Sequence, residues 1–279
     1  MTPPPTTPDA QPAQADGGPR PGRARRLDAV LDLVVETGHV QVDELVEALD
    51  VSPATARRDL DTLAAQQLVI RTRGGATLPP QSGDLPLRYR AAGASRGKER
   101  IADAAARLVA PGDVVAANGG TTTTALAHAL ATRPALVEAE RDTVLVTNAV
   151  NIAQELAVRR HLQLVVTGGV LRDRSYELVG RWAESLLDQI SIDTLFLGVN
   201  AVDAELGACA DSDSEATMAS QLVARSGTVV VLADSSKVGR SAFARICPAE
   251  RIDTVITDDG VDPEAVAALQ AAGIDVQIV

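Results

Sequence analysis

Between Leu27 and Leu63 apolar residues recur every three or four positions, in three runs parted by polar turns. This spacing predicts three short helices. The first covers Leu27 to Val35 and ends near Thr37-Gly38. The second, capped by Asp43, carries Leu45, Val46 and Leu49. Asp50-Val51 then turns into a third, with Ser52 as N-cap, Pro53 at the first helical position, and Ala56, Leu60 and Leu63 on one stripe. Thr55, Arg57 and Arg58 fall off that stripe. Two short helices joined by a tight turn follow the helix-turn-helix plan. The run Leu68 to Thr77, with Gly74-Gly75 inside it, predicts a strand and a glycine turn, where a winged helix carries its wing.

From Val114 onward the pattern changes to short apolar runs alternating with helical ones. Strands are predicted at Val114–Ala117, Val144–Thr147, Leu162–Thr167, Thr194–Leu197, Thr228–Ala233, Thr254–Thr257 and Val276–Val279. Helices are predicted at 122–131, 149–159, 182–190, 214–226 and 263–272, with a leading helix from about Arg88 to Val109 closed by Pro111-Gly112. Such alternation predicts a mainly parallel α/β sheet with helices on both faces. The organisation is therefore a disordered tail (1–23), a winged helix-turn-helix (24–78), a Pro-rich linker (79–87) and an α/β domain (88–279).

The polar motifs of the second domain fall at strand ends, where open parallel sheets bind ligands. Asn118-Gly119-Gly120-Thr121-Thr122-Thr123 follows a strand and opens a helix. Glycines let backbone N–H groups converge, the helix start adds partial positive charge, and the hydroxyls add donors, which makes a phosphate cradle. It lacks the lysine spacing of a nucleotide-hydrolysing P-loop; a tight turn with a threonine cap is the plainer alternative. Thr147-Asn148, Gly168-Gly169 with Arg172, Glu215, and Asp234-Ser-Ser-Lys237 stand at further strand ends or helix starts. Each alone fits ordinary turn chemistry, dipole compensation or a solvated loop. Their repetition at successive strand ends makes the set more than turn chemistry.

Composition changes the picture in three places. Aromatics are 2% of the chain, so the cores must be built from Ala, Val, Leu and Ile. Cys209 and Cys247 have no metal or redox spacing, and no apolar run is long enough to span a bilayer, so a reducing cytoplasm is expected. The net charge of -11 opposes general attraction to nucleic acid. Acidic residues crowd the first two helices, whereas arginines gather at 20–26, 57–58 and 71–73. DNA contact would thus rest on a few points and depend clearly on salt. His39, His128 and His161 are expected to be structural or solvated, and Trp182 to anchor a core or an interface.

Ser52-x-x-Thr55-x-Arg57-Arg58-Asp59-Leu60-x-x-Leu63, followed by Arg71-x-Arg73-Gly74-Gly75-Ala76, strongly resembles the DeoR family of bacterial transcriptional regulators. Asn118-Gly-Gly-Thr-Thr-Thr, Val146-Thr147-Asn148, Gly168-Gly169-x-Leu171-Arg172, Gly180, Phe196-Leu197-Gly198, Glu215-Ala216 and Asp234-Ser-Ser-Lys237-x-Gly239 resemble the sensor half of the same family, in the same order. The family often has Ile at Ala56, His at Arg73 and Asp-Ser-Gly at Asn118-Gly119-Gly120. The resemblance, over about 24–260, implies a sensor domain similar to ribose-5-phosphate isomerase that binds a phosphorylated sugar.

On this reading Ser52, Thr55, Arg57 and Arg58 read or position double-stranded operator DNA, and Arg71 and Arg73 hold its backbone. The effector meets Asn118, Gly119, Gly120, Thr121, Thr122, Thr123, Thr147, Asn148, Gly168, Gly169, Arg172, Glu215 and Lys237. A repressor of carbohydrate genes, an even-numbered homo-oligomer (dimer or tetramer), no cofactor, no metal, no membrane and no catalysis are expected. The rival is a sugar-phosphate isomerase fused to a DNA-binding head. Against it, the isomerases carry Asp-Gly-x-Asp and Lys-Gly-Gly where this chain has Gly198-Val199-Asn200-Ala201 and Ala208-Cys209-Ala210, leaving Glu215 and Lys237 as the remaining candidates for proton transfer, with Asp203 and Asp211 nearby if the alignment shifts.

Overall fold

A computed structural model describes residues 23–65, 68–77 and 96–279. The tail up to residue 22, the linker 79–87 and the expected helix start at Arg88 lie outside the described residues.

In the N-terminal unit, α1 (Arg23–Thr37), α2 (Val42–Leu49) and α3 (Pro53–Ala65) pack around Val30, Leu31, Val34, Leu45, Ala56, Leu60 and Leu63. Strand β1 (His39–Gln41), which the sequence pattern did not announce, joins β2 (Ile70–Thr72) and β3 (Gly75–Thr77) in a sheet of order β1-β3-β2. Gly75 is forced by this sheet, since a Cβ there would stand 2.0 Å from the Val40 carbonyl oxygen. The cap of α2 differs from expectation. Val42 is buried directly after β1, so the helix starts two residues early and Gln41 takes the cap position; its N–H donates to the Glu44 carboxylate at 2.7 Å. Asp43 lies within the first turn. The start of α3 is as expected, with the Thr55 N–H donating to Ser52 Oγ at 3.2 Å.

One charged pair ties this unit together. Asp59 is 1% exposed on the inner side of α3. Its carboxylate accepts from Arg26 Nε at 2.6 Å and Nη2 at 3.2 Å, so α1 and α3 are clamped by a two-pronged bond.

The C-terminal unit is a seven-stranded sheet with every neighbouring pair parallel. After α4 (Arg96–Arg107) the chain runs β4 (Val114–Ala117), α5 (Thr121–Thr132), α6 (Pro134–Val137), β5 (Thr143–Thr147), α7 (Val150–Leu156) and β6 (Leu162–Val166). A hairpin of β7 (Val170–Leu171) and β8 (Leu178–Val179) leads to a single 3-10 turn (Arg181–Ala183) and α8 (Glu184–Leu187). Strand β9 (Ile192–Gly198) returns to the sheet. Next come β10 (Ala201–Asp203), β11 (Gly207–Ala210), α9 (Asp213–Ala224), β12 (Ser226–Leu232), β13 (Ala244–Cys247), β14 (Thr254–Thr257), α10 (Pro263–Ala271) and β15 (Asp275–Ile278). The sheet order is β15-β14-β12-β9-β4-β5-β6, and β10, β11 and β13 form a separate antiparallel sheet.

The order reverses between β4 and β9. From β4 the chain winds outward through β5 and β6; from β9 it winds the other way. One face is covered by α4, α5 and α7, with Phe196 the large side chain in an otherwise aliphatic core; α9 and α10 lie in the cluster on the other. Trp182 is not a core anchor. Ala183 is the residue of its turn that packs inward, which leaves Trp182 63% exposed.

Removing the Asp59 carboxylate should strand the Arg26 guanidinium beside a buried site. Asp59→Ala is expected to cost about 2–3 kcal/mol in the N-terminal unit. Hydrogen exchange on the full chain should show lost protection in α1–α3 and none in β4 or β9; unchanged protection in α1–α3 would overturn the assignment.

Candidate functional site

The first site lies on α3 and the wing. Ser52, Arg57 and Arg58 are exposed at the start of α3, opposite the buried stripe Ala56-Leu60-Leu63. Ser52 Oγ and Thr55 Oγ1 are 2.9 Å apart and share a hydrogen bond. Arg73 is exposed in the wing turn beside Gly74, whose φ of 91° suits a residue without a side chain. Arg71 is differently employed. Its Nη1 donates to the Gly75 carbonyl at 2.6 Å and its Nε pairs with Asp61 at 2.9 Å. It braces the wing against α3, so its guanidinium is partly committed before any DNA arrives.

The second site is a cavity of about 260 Å³ at the reversal of the sheet, outside the carboxyl ends of β4 and β9. Open α/β sheets place ligands at such a point because the loops of the two adjacent strands diverge to opposite faces. Asn118, just past β4, spans the gap. Its Nδ2 donates to the Gly198 carbonyl at 3.0 Å and its Oδ1 accepts from the Gly198 N–H at 2.7 Å. Only an amide makes both bonds; a carboxylate lacks the donor.

Of the residues expected at the effector, Asn118, Gly119, Gly120, Thr121, Thr122, Arg172, Glu215 and Lys237 line this cavity. Arg172 joins two elements, its Nε 3.1 Å from Glu215 Oε1 and its Nη1 2.8 Å from Ser214 Oγ. Lys237 Nζ donates to the Val199 carbonyl at 2.8 Å. The other five are not in the lining. Thr123 Oγ1 turns back to the Gly120 carbonyl. Thr147 is fully buried, donating to Ala117 O at 2.7 Å and accepting from Ala149 N, which stitches β4 to β5. Asn148 Nδ2 holds the Leu178 carbonyl. Gly168 and Gly169 lead into β7 at positive φ, and Gly169 lies against β8, where a Cβ would meet Val179 O at 2.8 Å.

Arg174, Ser175, Glu177 and Ser212 complete the polar wall and were not singled out from the sequence; Asn200 and Asp211, in the segment compared with the isomerases, join them. They sit in irregular connections, where no periodicity marks them. Glu177, 4% exposed, accepts from the Gly119 N–H at 2.6 Å. Thr122 and Ser175 are buried, and their hydroxyls have no hydrogen-bond partner among the described residues. Buried polar atoms without partners are costly and rare, so these two mark where a ligand would supply acceptors.

Other reactive groups are spoken for. His128 pairs with Glu155, and His161 Nε2 lies 3.3 Å from the Leu130 carbonyl. Burial pushes the Cys247 thiol up to about 11, so it stays protonated at neutral pH. No cluster with metal-ligand character occurs among the described residues.

A family model for the DeoR C terminal sensor domain matches residues 94–259, and one for the DeoR-like helix-turn-helix domain matches residues 26–82. The chain belongs to the DeoR family. As a DeoR-family protein it is a DNA-binding regulator of transcription. It is 34% identical over 237 residues to the glycerol-3-phosphate regulon repressor of Escherichia coli K12, covering 85% of this chain and 91% of that protein. It is 36% identical over 256 residues to the regulator GlpR of Haloferax volcanii, with 91% and 96% covered. Among solved structures, ribose 5-phosphate isomerase A from Methanocaldococcus jannaschii overlays with a TM-score of 0.37 at 21% identity, over 50% of this chain and 52% of that one. The full-length sorbitol operon regulator SorC from Klebsiella pneumoniae gives 0.38 at 11% identity, over 88% and 98%. No described helix of this DeoR-family chain is long and apolar enough to cross a membrane.

Two outcomes follow from the geometry. If Arg57 meets a base edge, Arg57→Ala should cost roughly 1–3 kcal/mol on the cognate operator and little on unrelated duplex; equal loss on all sequences in a mobility-shift titration would make it a phosphate contact. Asn118→Ala removes both bonds to Gly198 and should lower stability by about 2 kcal/mol, read as a fall in melting temperature; an unchanged melting temperature would count against the bridge.

Proposed function

We propose that this protein represses carbohydrate-metabolism genes and that a phosphorylated sugar, bound in the cavity between β4 and β9, controls its hold on operator DNA. The observation that carries this reading is the convergence at one cavity of the glycine-threonine turn, the start of α5, two unpartnered hydroxyls, and Arg172, Arg174 and Lys237. Its volume is just under the range of about 300–1,000 Å³ common for drug-sized ligands, which suits a small metabolite. The names of the relatives, one a glycerol-3-phosphate regulon repressor, agree with it. Ser52, Thr55, Arg57 and Arg58 meet the major groove, while Arg73 and the braced Arg71 meet phosphates. A helix-turn-helix dimer fits half-sites about one helical turn apart, so an even-numbered homo-oligomer in the cytoplasm is proposed.

The cavity is a receptor rather than a catalytic centre. Each ionisable group considered there already holds a protein partner: Glu215 is engaged by Arg172, Lys237 donates to the Val199 carbonyl, Asp211 accepts from Asn200 Nδ2 and Glu177 accepts from the Gly119 N–H. For a switch, the effector must bind one arrangement of the protein more tightly than the other.

The deciding experiment titrates the full chain on its own upstream intergenic DNA with and without a panel of sugar phosphates. Specific binding released by one of them is expected, with no turnover of ribose 5-phosphate. Turnover abolished in Glu215→Gln would favour the enzyme reading instead. Lys237→Ala should bind DNA as before and respond less to effector; loss of DNA binding in the absence of effector would overturn the role given to Lys237.

A further inference from the structure

The phosphate cradle is already occupied by an anion of the protein's own. Glu177 lies buried against the glycine turn, with Oε1 2.6 Å from the Gly119 nitrogen. The carboxylate is laid flat on the residue that has no side chain. A Cβ on Gly119 would stand 2.4 Å from Glu177 Cγ and 2.8 Å from Oε1. Gly119 is thus glycine because Glu177 rests on it.

The backbone beneath Glu177 is fixed. Its carbonyl accepts from the Arg172 N–H at 2.9 Å, and the next N–H, of Leu178, donates to Asn148 O at 2.7 Å. Tyr176 before it is held at φ 59°, a rare conformation for a bulky residue. The Tyr176 carbonyl accepts from Val150 N and its N–H donates to Arg172 O. With its backbone pinned, Glu177 can leave the cradle only by rotating its side chain.

The Glu177 carboxylate accepts from the Gly119 N–H, while Thr122 Oγ1 and Ser175 Oγ, on residues of the same cavity wall, lack partners among the described residues. A phosphate has more acceptor oxygens than a carboxylate, and at neutral pH a phosphate monoester carries a charge nearer -2. It matches the donors that the carboxylate leaves over.

We infer that Glu177 is a specificity-determining residue: a resident carboxylate that an incoming phosphate must displace from the Gly119 N–H. The inference rests on the sugar-phosphate reading given above. Neutral sugars and monocarboxylates do not outcompete a carboxylate that is already in place. A phosphate monoester does, because it gains the unused hydroxyls. Glu177 therefore sets a threshold that only a strong anion crosses.

The test compares saturable binding of inorganic phosphate, at constant ionic strength, to the full chain and to two variants by thermal-shift titration. Glu177→Gln keeps the size and removes the competing charge, so phosphate should bind on the order of tenfold more tightly. Asp211→Asn serves as the charge control. Asp211 lines the same cavity, accepts from Asn200 Nδ2 at 2.6 Å and does not touch the Gly119 N–H; its change should be clearly smaller. Should Glu177→Gln fail to fold, Glu177→Ala is read in the same way. Unchanged or weaker binding in the Glu177 variant, with binding to the natural chain intact, overturns this inference alone. Equal tightening in both variants also overturns it, as a general charge effect. No saturable phosphate binding by any of the three proteins would overturn the sensor reading as well.

Discussion

Two hydrogen bonds between Asn118 and Gly198 hold the effector domain at its point of reversal. The residues are 80 positions apart in the chain. They stand at the ends of adjacent parallel strands, just past the last registered pair of the ladder, Ala117 with Phe196. A side chain that donates and accepts at once closes this gap without charge. The glycine-threonine turn begins at the next residue, and the Val199 carbonyl beside Gly198 receives Lys237. The cradle and the lysine are therefore referenced to one another through this amide. Asn118, named first as an effector contact, is better described as the frame on which the contacts are hung.

The N-terminal unit follows the same logic with charges. Asp59 and Asp61 flank Leu60 on α3, and each has its own arginine, Arg26 from α1 and Arg71 from the wing. The buried pair orients α3 against α1. The exposed pair sets the wing against α3 and is worth less, as surface pairs are. Arg57, Arg58 and Arg73 are left facing outward. On the proposed reading this helps a strongly acidic chain present a DNA-reading surface, since Asp59 and Asp61, on the same helix as Arg57 and Arg58, are paired within the unit.

The sequence carried the repeating parts of this architecture. The three helices of the head, the wing turn and the strands of the parallel sheet follow from periodicity because each buries a regular face. Thr147, Asn148, Gly168 and Gly169 also stood out, as polar or flexible residues at strand ends. Their chemistry was legible, but its direction was not: Thr147 turns into the sheet, and Gly169 packs against β8. Glu177, Ser175 and Arg174 were invisible for the converse reason. They lie on an irregular connection whose path is set by backbone bonds to Asn148 and Val150, which no local pattern encodes. The cap of α2 missed by two residues because β1 ends where the helix begins.

The placement of β4 has a consequence for how the protein is made. This strand is first of the seven in sequence yet lies inside the sheet, between β9 and β5, and its register with β9, Val115 against Thr194, waits for a long stretch of chain. Pairings so distant in sequence form slowly, and chains emerge from the ribosome at about 5–20 residues per second. The core of the head is drawn from residues 27–76 and is available first. During each round of synthesis there is thus an interval of seconds in which the reading surface can exist while its receptor cannot.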